Sequence, residues 1–300
     1  MSTTEPGPPP AGEAVPDPSP QPSPATAPPV PAQVLAVPQA GLDSHPGERK
    51  RVLIIGGGIA GLVAAYELRR QGHDPVVLEA QNRVGGRIYT LRNFAPGLYA
   101  EAGAMRIPRA HDLTLEYCRL FDLPLRPFVM GNPRGLVYIG GVRMSAADAQ
   151  ISPERLPYQL EEHERGKSAD QLWQDAIAEI REMVDSAGEQ AWAEIVRRYD
   201  EYSLYEFLKA RGLSEEAIEY YAVMNFVEAD MHNAVVEILR EDLGGAYVDM
   251  STIVGGMDLL PNAFYAQLQD AVRFGVEVRR IEQDADGVRL RCRVARLRRA

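Results

Sequence analysis

The sequence predicts an α/β protein whose ordered part opens on a parallel β-α-β unit, and three stretches carry that expectation. Val52 to Ile55 is an unbroken aliphatic run, as expected for a strand buried on both faces. Gly56, Gly58 and Gly61 follow at G-x-G-x-x-G spacing and open a helical pattern. "DPVVLEA" then reads as a second buried strand closing at Glu79.

The order strand, glycines, helix, strand, acid predicts a dinucleotide site of Rossmann-like type. Gly56 permits a tight turn, Gly58 lets the backbone approach a pyrophosphate, and Gly61 lets the helix pack closely on the strand. The helix is expected over Ile59 to Gln71, stopped by Gly72. Its N-terminus offers free N–H groups and a positive dipole to phosphates. Glu79 is placed to accept hydrogen bonds from an adenosine ribose and would repel a 2′-phosphate, which disfavours NADP.

Composition sets the bounds. The chain has 300 residues, 45% hydrophobic and 25% charged, enough for about two domains with a sizeable core. A formal charge of −10 argues against general affinity for nucleic acid or anionic lipid. Cys118 and Cys292 are too few for a disulfide framework, and five scattered histidines suggest no metal site. No run of 18 apolar residues occurs, and no positive charge precedes an apolar segment at the N-terminus, so a cytoplasmic protein is expected. Residues 1–48 hold most of the 23 prolines and no aromatic residue. They are expected to be a disordered Pro/Ala-rich tail, with a ligand for a proline-recognition module as the alternative.

Beyond the dinucleotide unit, "GLVYIGGVRMS" (135–145) reads as a hairpin around Gly140-Gly141. From about 153 to 244 the pattern is helical, with Ser168-x-x-Gln171 and Ser203-x-x-Glu206 as capping boxes and Gly212 as a stop. Tyr199, Tyr202, Tyr205, Tyr220 and Tyr221 read as packing residues, with a substrate funnel as the alternative. The glutamates of "HERG" and "SEEAIE" read as solvated faces. Residues 276–294 alternate as strands around Asp286-Gly287.

"EAQNRVGGR", Glu79 to Arg87, resembles the E-x-x-x-R-x-G-G-R stretch of FAD-dependent amine oxidases. "EAGAMRIP", from Glu101, is similar to a segment of the L-amino acid oxidases within that superfamily. The resemblance spans Arg51 to about Val294, and implies FAD as cofactor, a mixed-sheet substrate domain and a helical domain shaping the entrance. It places Arg87 along the flavin dinucleotide; the alternative is a solvated arginine. It carries Gly103, Ala104, Met105 and Arg106 to the flavin, with Arg106 holding the substrate α-carboxylate. An arginine fork suits that task, making two parallel bonds to a carboxylate. The alternative for Arg106 is an internal ion pair with Glu101 or Asp112.

The resemblance also implies oxidative deamination of an L-amino acid by FAD and oxygen, giving a 2-oxo acid, ammonia and hydrogen peroxide. The alternatives are an amine or polyamine oxidase relative, or an inert FAD-binding remnant. Family members carry an active-site histidine where this chain has Glu241, the weakest of the candidate site residues. Val278 is expected at the adenine edge through its main chain. The full candidate cofactor set is Gly56, Gly58, Ile59, Ala60, Gly61, Glu79, Ala80, Arg87, Gly103, Ala104, Met105, Arg106 and Val278, with Arg106 and Glu241 as the catalytic candidates.

The expected organisation is tail 1–48, first FAD segment 49–87, substrate segment 88–146, helical domain 147–246 and a return to the FAD domain over 247–300. The family pattern continues beyond "ARLRRA" at the chain's end, so a C-terminally truncated polypeptide is expected. A homo-oligomer or a separate C-terminal half is a candidate partner.

Overall fold

The computed structural model describes residues 30–42 and 47–295. Part of the expected tail is ordered: Ala32–Ala40 forms helix α1. The last carbonyls of a helix lack internal donors, and here a neighbour supplies them. Arg70 donates to the carbonyls of Val37, Pro38 and Gln39 at 3.1, 3.0 and 3.0 Å, and the Gln71 amide donates to Leu42 O. The expectation of a disordered 1–48 is corrected for this stretch, because those bonds and the burial of Pro38 offset its ordering cost. Residues 1–29, 43–46 and the arginine-rich end at 296–300 lie outside the described residues.

β1 (Arg51–Ile55), α2 (Ile59–Arg70) and β2 (Asp74–Glu79) form the predicted crossover unit, with β1 parallel to β2 and Ile55 opposite Leu78. Gly72, at φ +80°, ends α2 as expected. The short strands β3 (Thr90–Leu91) and β4 (Ala100–Glu101) pair antiparallel, and α3 (Asp112–Leu120) leads into β5 (Leu125–Pro127). β6 (Leu136–Ile139) and β7 (Val142–Ser145) make the predicted hairpin, turning at Gly140 and Gly141 with positive φ at both.

The helical stretch holds α4 (Ala146–Ile151), α5 (Ala169–Ala187), α6 (Ala191–Tyr199), α7 (Leu204–Ala210), α8 (Glu215–Asn225) and α9 (Val235–Leu243). Both capping boxes form, at Ser168/Gln171 and Ser203/Glu206. β8 (Ser251–Ile253) then returns to pair antiparallel with β5. α10 (Leu259–Ala266) packs against α2, and β9 (Val272–Phe274) lies parallel to β2. β10 (Val276–Asp284) and β11 (Gly287–Val294) form a hairpin closing at Ala285-Asp286.

Two cores result. One is helical, drawing on α5 to α9 and on Met144; the other joins α2, α3 and α10 to the sheet around Leu62, Val77, Ile253 and Phe264. Tyr220 and Tyr221 are buried in the first, as the packing reading expects. Two expectations fail. β1 is not buried on both faces: Leu53 is 37% and Ile55 52% exposed. It lies at the edge of a sheet ordered β1-β2-β9 among the described residues, and an aliphatic run does not report how many neighbours a strand has.

Glu164 of "HERG" is no solvated residue either; it is 1% exposed. Its carboxylate accepts from the Ser214 N–H and hydroxyl, both at 2.7 Å, and from the Glu161 N–H at 2.8 Å. Burial alone would raise its pKa, but these three donors outweigh burial and hold it below the usual carboxylate value. Glu164 thereby ties the loop before α5 to the start of α8.

Candidate functional site

The glycine turn has the features that a dinucleotide phosphate needs. Gly56 adopts φ +96°, a conformation side chains disfavour. A Cβ on Gly61 would lie 2.1 Å from Gly56 O and 3.2 Å from Ile54 Cγ2, so only glycine lets α2 pass this close to β1. A Cβ on Gly58, by contrast, would meet nothing within 4 Å, which leaves an open cradle above the turn. No side chain caps α2, and the first intrahelical acceptance at this end is Leu62 N–H to Gly58 O at 3.0 Å. The N–H groups of the first turn, at Ile59, Ala60 and Gly61, are therefore available to an anion.

Glu79 is buried behind this turn. One carboxylate oxygen accepts from Gly57 N–H at 2.6 Å and the other from Gln81 N–H at 2.7 Å. Each oxygen retains a second acceptor site, so the residue both fixes the turn and keeps capacity for a hydroxyl ligand. Ala80 is exposed beside it. Val278 lies in β10, four residues past Phe274, which ends β9 opposite Glu79, and pairs with Cys292 of β11. β10 is irregular there, with its register to β11 shifting between Val278 and Arg280.

The second glycine pair docks onto the first. Gly85 N–H donates to Gly57 O at 2.8 Å, and a Cβ on Gly86 would touch Gly58 Cα at 3.4 Å. The two arginines of this stretch do different work. Arg83 binds inward, to Gly86 O at 2.9 Å and Val84 O at 3.2 Å, and lies 4.2 Å from the Tyr89 ring centroid. Arg87 is exposed and has no ion pair among the described residues. Arg83 thus shapes the turn while Arg87 stays available beside it.

The segment from Gly103 to Arg106 runs next to Arg87. Ala104 N–H donates to Arg87 O at 3.1 Å, and a Cβ on Gly103 would fall 2.0 Å from that same oxygen. Ile107 then forms an antiparallel bridge with Ser251, with reciprocal bonds of 2.7 and 2.8 Å. Ser251 begins β8, which pairs with β5, and Phe128 N–H donates to Met250 O at 2.8 Å. This ladder gathers Arg106, Phe128, Met130 and Tyr247 from three separate stretches.

Arg106 finds no protein anion among the described residues. Glu101 is committed elsewhere, accepting from Met257 N–H at 2.9 Å and the Thr90 hydroxyl at 2.7 Å. Asp112 forms no ion pair with it. The guanidinium instead lies 5.0 Å from the Tyr247 ring centroid and 5.9 Å from that of Phe128, and donates to Met130 Sδ at 3.6 Å. A thioether is a weak acceptor. Aromatic faces stabilise the cation without consuming its fork.

Glu241, on α9, accepts a hydrogen bond from the Tyr247 hydroxyl. Burial and that carboxylate push the Tyr247 pKa up to about 12, against a lowering pull from Arg106, so the phenol stays protonated. Tyr247, Phe128 and Met130 had no sequence signal, since only the β5–β8 ladder brings them to Arg106. Two well-formed cavities among the described residues lie away from Arg106. One, of about 490 Å³, lies within the 92–99 loop; the other, of about 730 Å³, runs between α1, α2, α3 and α10 and reaches Ile59 and Ala60.

A family model for flavin containing amine oxidoreductases matches residues 59–300. The chain belongs to that family. Its cofactor is FAD, which fits the open cradle at Gly58 and the uncapped first turn of α2. The chain is 36% identical over 241 residues to an L-amino acid oxidase of Cerastes cerastes, covering 80% of this chain and 46% of that protein. It is 35% identical over 250 residues to a putative L-amino-acid oxidase, YobN, of Bacillus subtilis, covering 83% and 52%. The chain therefore spans about half the length of the curated relatives it matches. Among solved structures it resembles wild-type putrescine oxidase bound to putrescine, at a TM-score of 0.53 and 21% identity over 81% of this chain and 54% of that one. That likeness concerns the fold of these flavoenzymes. No described helix is long and apolar enough to cross a membrane.

Proposed function

We propose that this amine oxidoreductase acts on L-amino acids, oxidising them to imino acids that water hydrolyses to the 2-oxo acid and ammonia, with oxygen reduced to hydrogen peroxide. The observation that carries the reading is Arg106, a permanent cation set against Tyr247, Phe128 and Met130 with no anionic partner among the described residues. A substrate α-carboxylate supplies that partner, and a two-pronged bond fixes its orientation as well as its affinity. An amine without a carboxylate leaves the arginine unmatched, so Arg106 favours an amino acid over a polyamine.

FAD, when bound, supplies the two-electron acceptor for the Cα–N bond. The chain's own residues bind and orient. The glycine turn and the first turn of α2 hold the diphosphate, Glu79 meets the ribose, and Arg87 and the backbone from Gly103 to Met105 line the cofactor. The main chain at Val278 borders the adenine. A cytoplasmic setting belongs to the same reading and agrees with two unpaired cysteines.

Peroxide release on adding L-amino acids to the FAD-loaded protein tests the reading. Arg106→Ala is expected to cut kcat/KM for L-amino acids by about 100-fold, the usual scale for losing a buried charge-assisted contact. Equal turnover in Arg106→Ala, or better turnover of carboxylate-free amines by the unaltered protein, overturns it.

A further inference from the structure

We infer that Tyr247 holds Arg106 and Glu241 apart so that the site selects L-amino acids bearing a cationic side chain, an inference that rests on Arg106 being the carboxylate clamp. A glutamate and an arginine that share one tyrosine would ordinarily close into an ion pair. Here they do not. The guanidinium lies against the ring while the carboxylate accepts from the hydroxyl. Among the described residues neither forms an ion pair with any other side chain. Two opposite charges therefore sit at the face and at the hydroxyl of one tyrosine, each without an ion-pair partner among the described residues.

The surroundings reinforce the polarity. Asp230 adds a second negative charge on the Tyr247 side, where it raises the phenol's pKa. Phe128 and Met130 line the Arg106 end with apolar surface. A ligand matching this pattern carries an anion at one end, an aliphatic stem along the ring and a cation at the other. Stems of this kind pack on apolar walls while their charged heads reach a partner. A basic L-amino acid has that form. The α-ammonium group is the competing partner for Glu241, and it is common to every L-amino acid.

L-lysine, L-norleucine and cadaverine separate these possibilities, because norleucine lacks only the terminal ammonium and cadaverine only the carboxylate. Binding is measured by titration calorimetry on the full chain with saturating FAD. L-lysine is expected to bind about tenfold more tightly than L-norleucine, the scale of one hydrogen bond to a charged group. Glu241→Gln is expected to bring L-lysine down to the norleucine level and leave norleucine unchanged. Tyr247→Phe frees Glu241 to pair with Arg106, so both amino acids weaken, and adding Glu241→Gln to that variant restores norleucine. A merely structural Tyr247 would not allow that rescue.

Equal binding of lysine and norleucine overturns the inference, as does an equal loss of both in Glu241→Gln, which would assign Glu241 to the α-ammonium. If Arg106→Ala leaves norleucine binding intact, or cadaverine binds as well as lysine, the carboxylate clamp itself fails and this inference falls with it.

Discussion

In the helical region Ile177, Ile180, Ile195, Leu204, Leu208 and Leu239 are fully buried, and Trp173 stacks on Tyr221 at 5.5 Å. In β1 the same residue types, Leu53 and Ile55, are 37% and 52% exposed. Both regions read as equally apolar in sequence. The difference lies in where each finds its partners. A helix buries its stripe against helices close by in sequence, and α5 meets α6 and α8 within a few tens of residues. A parallel strand needs neighbours and covering layers from remote sequence. β1 has β2 on one side and α2 on one face, and its other edge is unpaired among the described residues. The helical region thus closes its own core, while the cofactor region is held at its centre by backbone geometry.

That contrast predicts where substitutions hurt. Gly61→Ala is expected to have the largest effect on the cofactor region. Its Cβ would overlap Gly56 O at 2.1 Å, and overpacking on the scale of ~3 kcal/mol weakens FAD roughly 100-fold. Fluorescence titration of FAD reads this out, with the helical content by circular dichroism unchanged. FAD affinity equal to the unaltered chain would break the claim that the turn's closeness is essential.

Glu164→Ala is expected to act on the other region. It strips acceptors from the Ser214 N–H and hydroxyl and from the Glu161 N–H, at a cost of about 2 kcal/mol in a urea unfolding series, with FAD affinity intact. The sign of its pH dependence follows from the lowered pKa. The stabilisation is fully present above the ordinary carboxylate value of 4.5 and fades as pH falls through the lower folded-state value. The gap between Glu164→Ala and the unaltered chain therefore narrows in acid; a gap that widens would contradict the assignment.

The smallest expected effect compares two strands of one sheet. Val77→Ala, in the buried centre of β2, is expected to cost about 2 kcal/mol, whereas Ile55→Ala, on the open face of β1, costs about 0.5 kcal/mol or less. Equal losses would mean that β1 is covered after all.

Features fixed by local chemistry were legible in the sequence. The glycine turn, the stops at Gly72 and Gly212, both serine capping boxes and the Gly140-Gly141 hairpin each depend on a few adjacent residues. Features set by distant contacts were not. Leu53 and Ile55 gave no sign of an edge position. Glu164 reads as a surface charge until Ser214, fifty residues on, covers it. The helix at Ala32–Ala40 was hidden in proline-rich composition, since the Arg70 guanidinium that satisfies it belongs to α2. At the candidate site, Arg106 stood out by its apolar neighbours. Its aromatic setting comes from Phe128 and Tyr247, which the strand ladder delivers from elsewhere.

The proposed function needs a turn of backbone that grips FAD and an arginine that captures a carboxylate. The most direct test is the flavin absorbance spectrum of the FAD-loaded protein as an L-amino acid is added without oxygen. A saturable spectral change is predicted for the unaltered chain and its loss for Arg106→Ala. A chain that takes up no FAD, or a variant whose flavin responds just as the unaltered protein's does, contradicts the account.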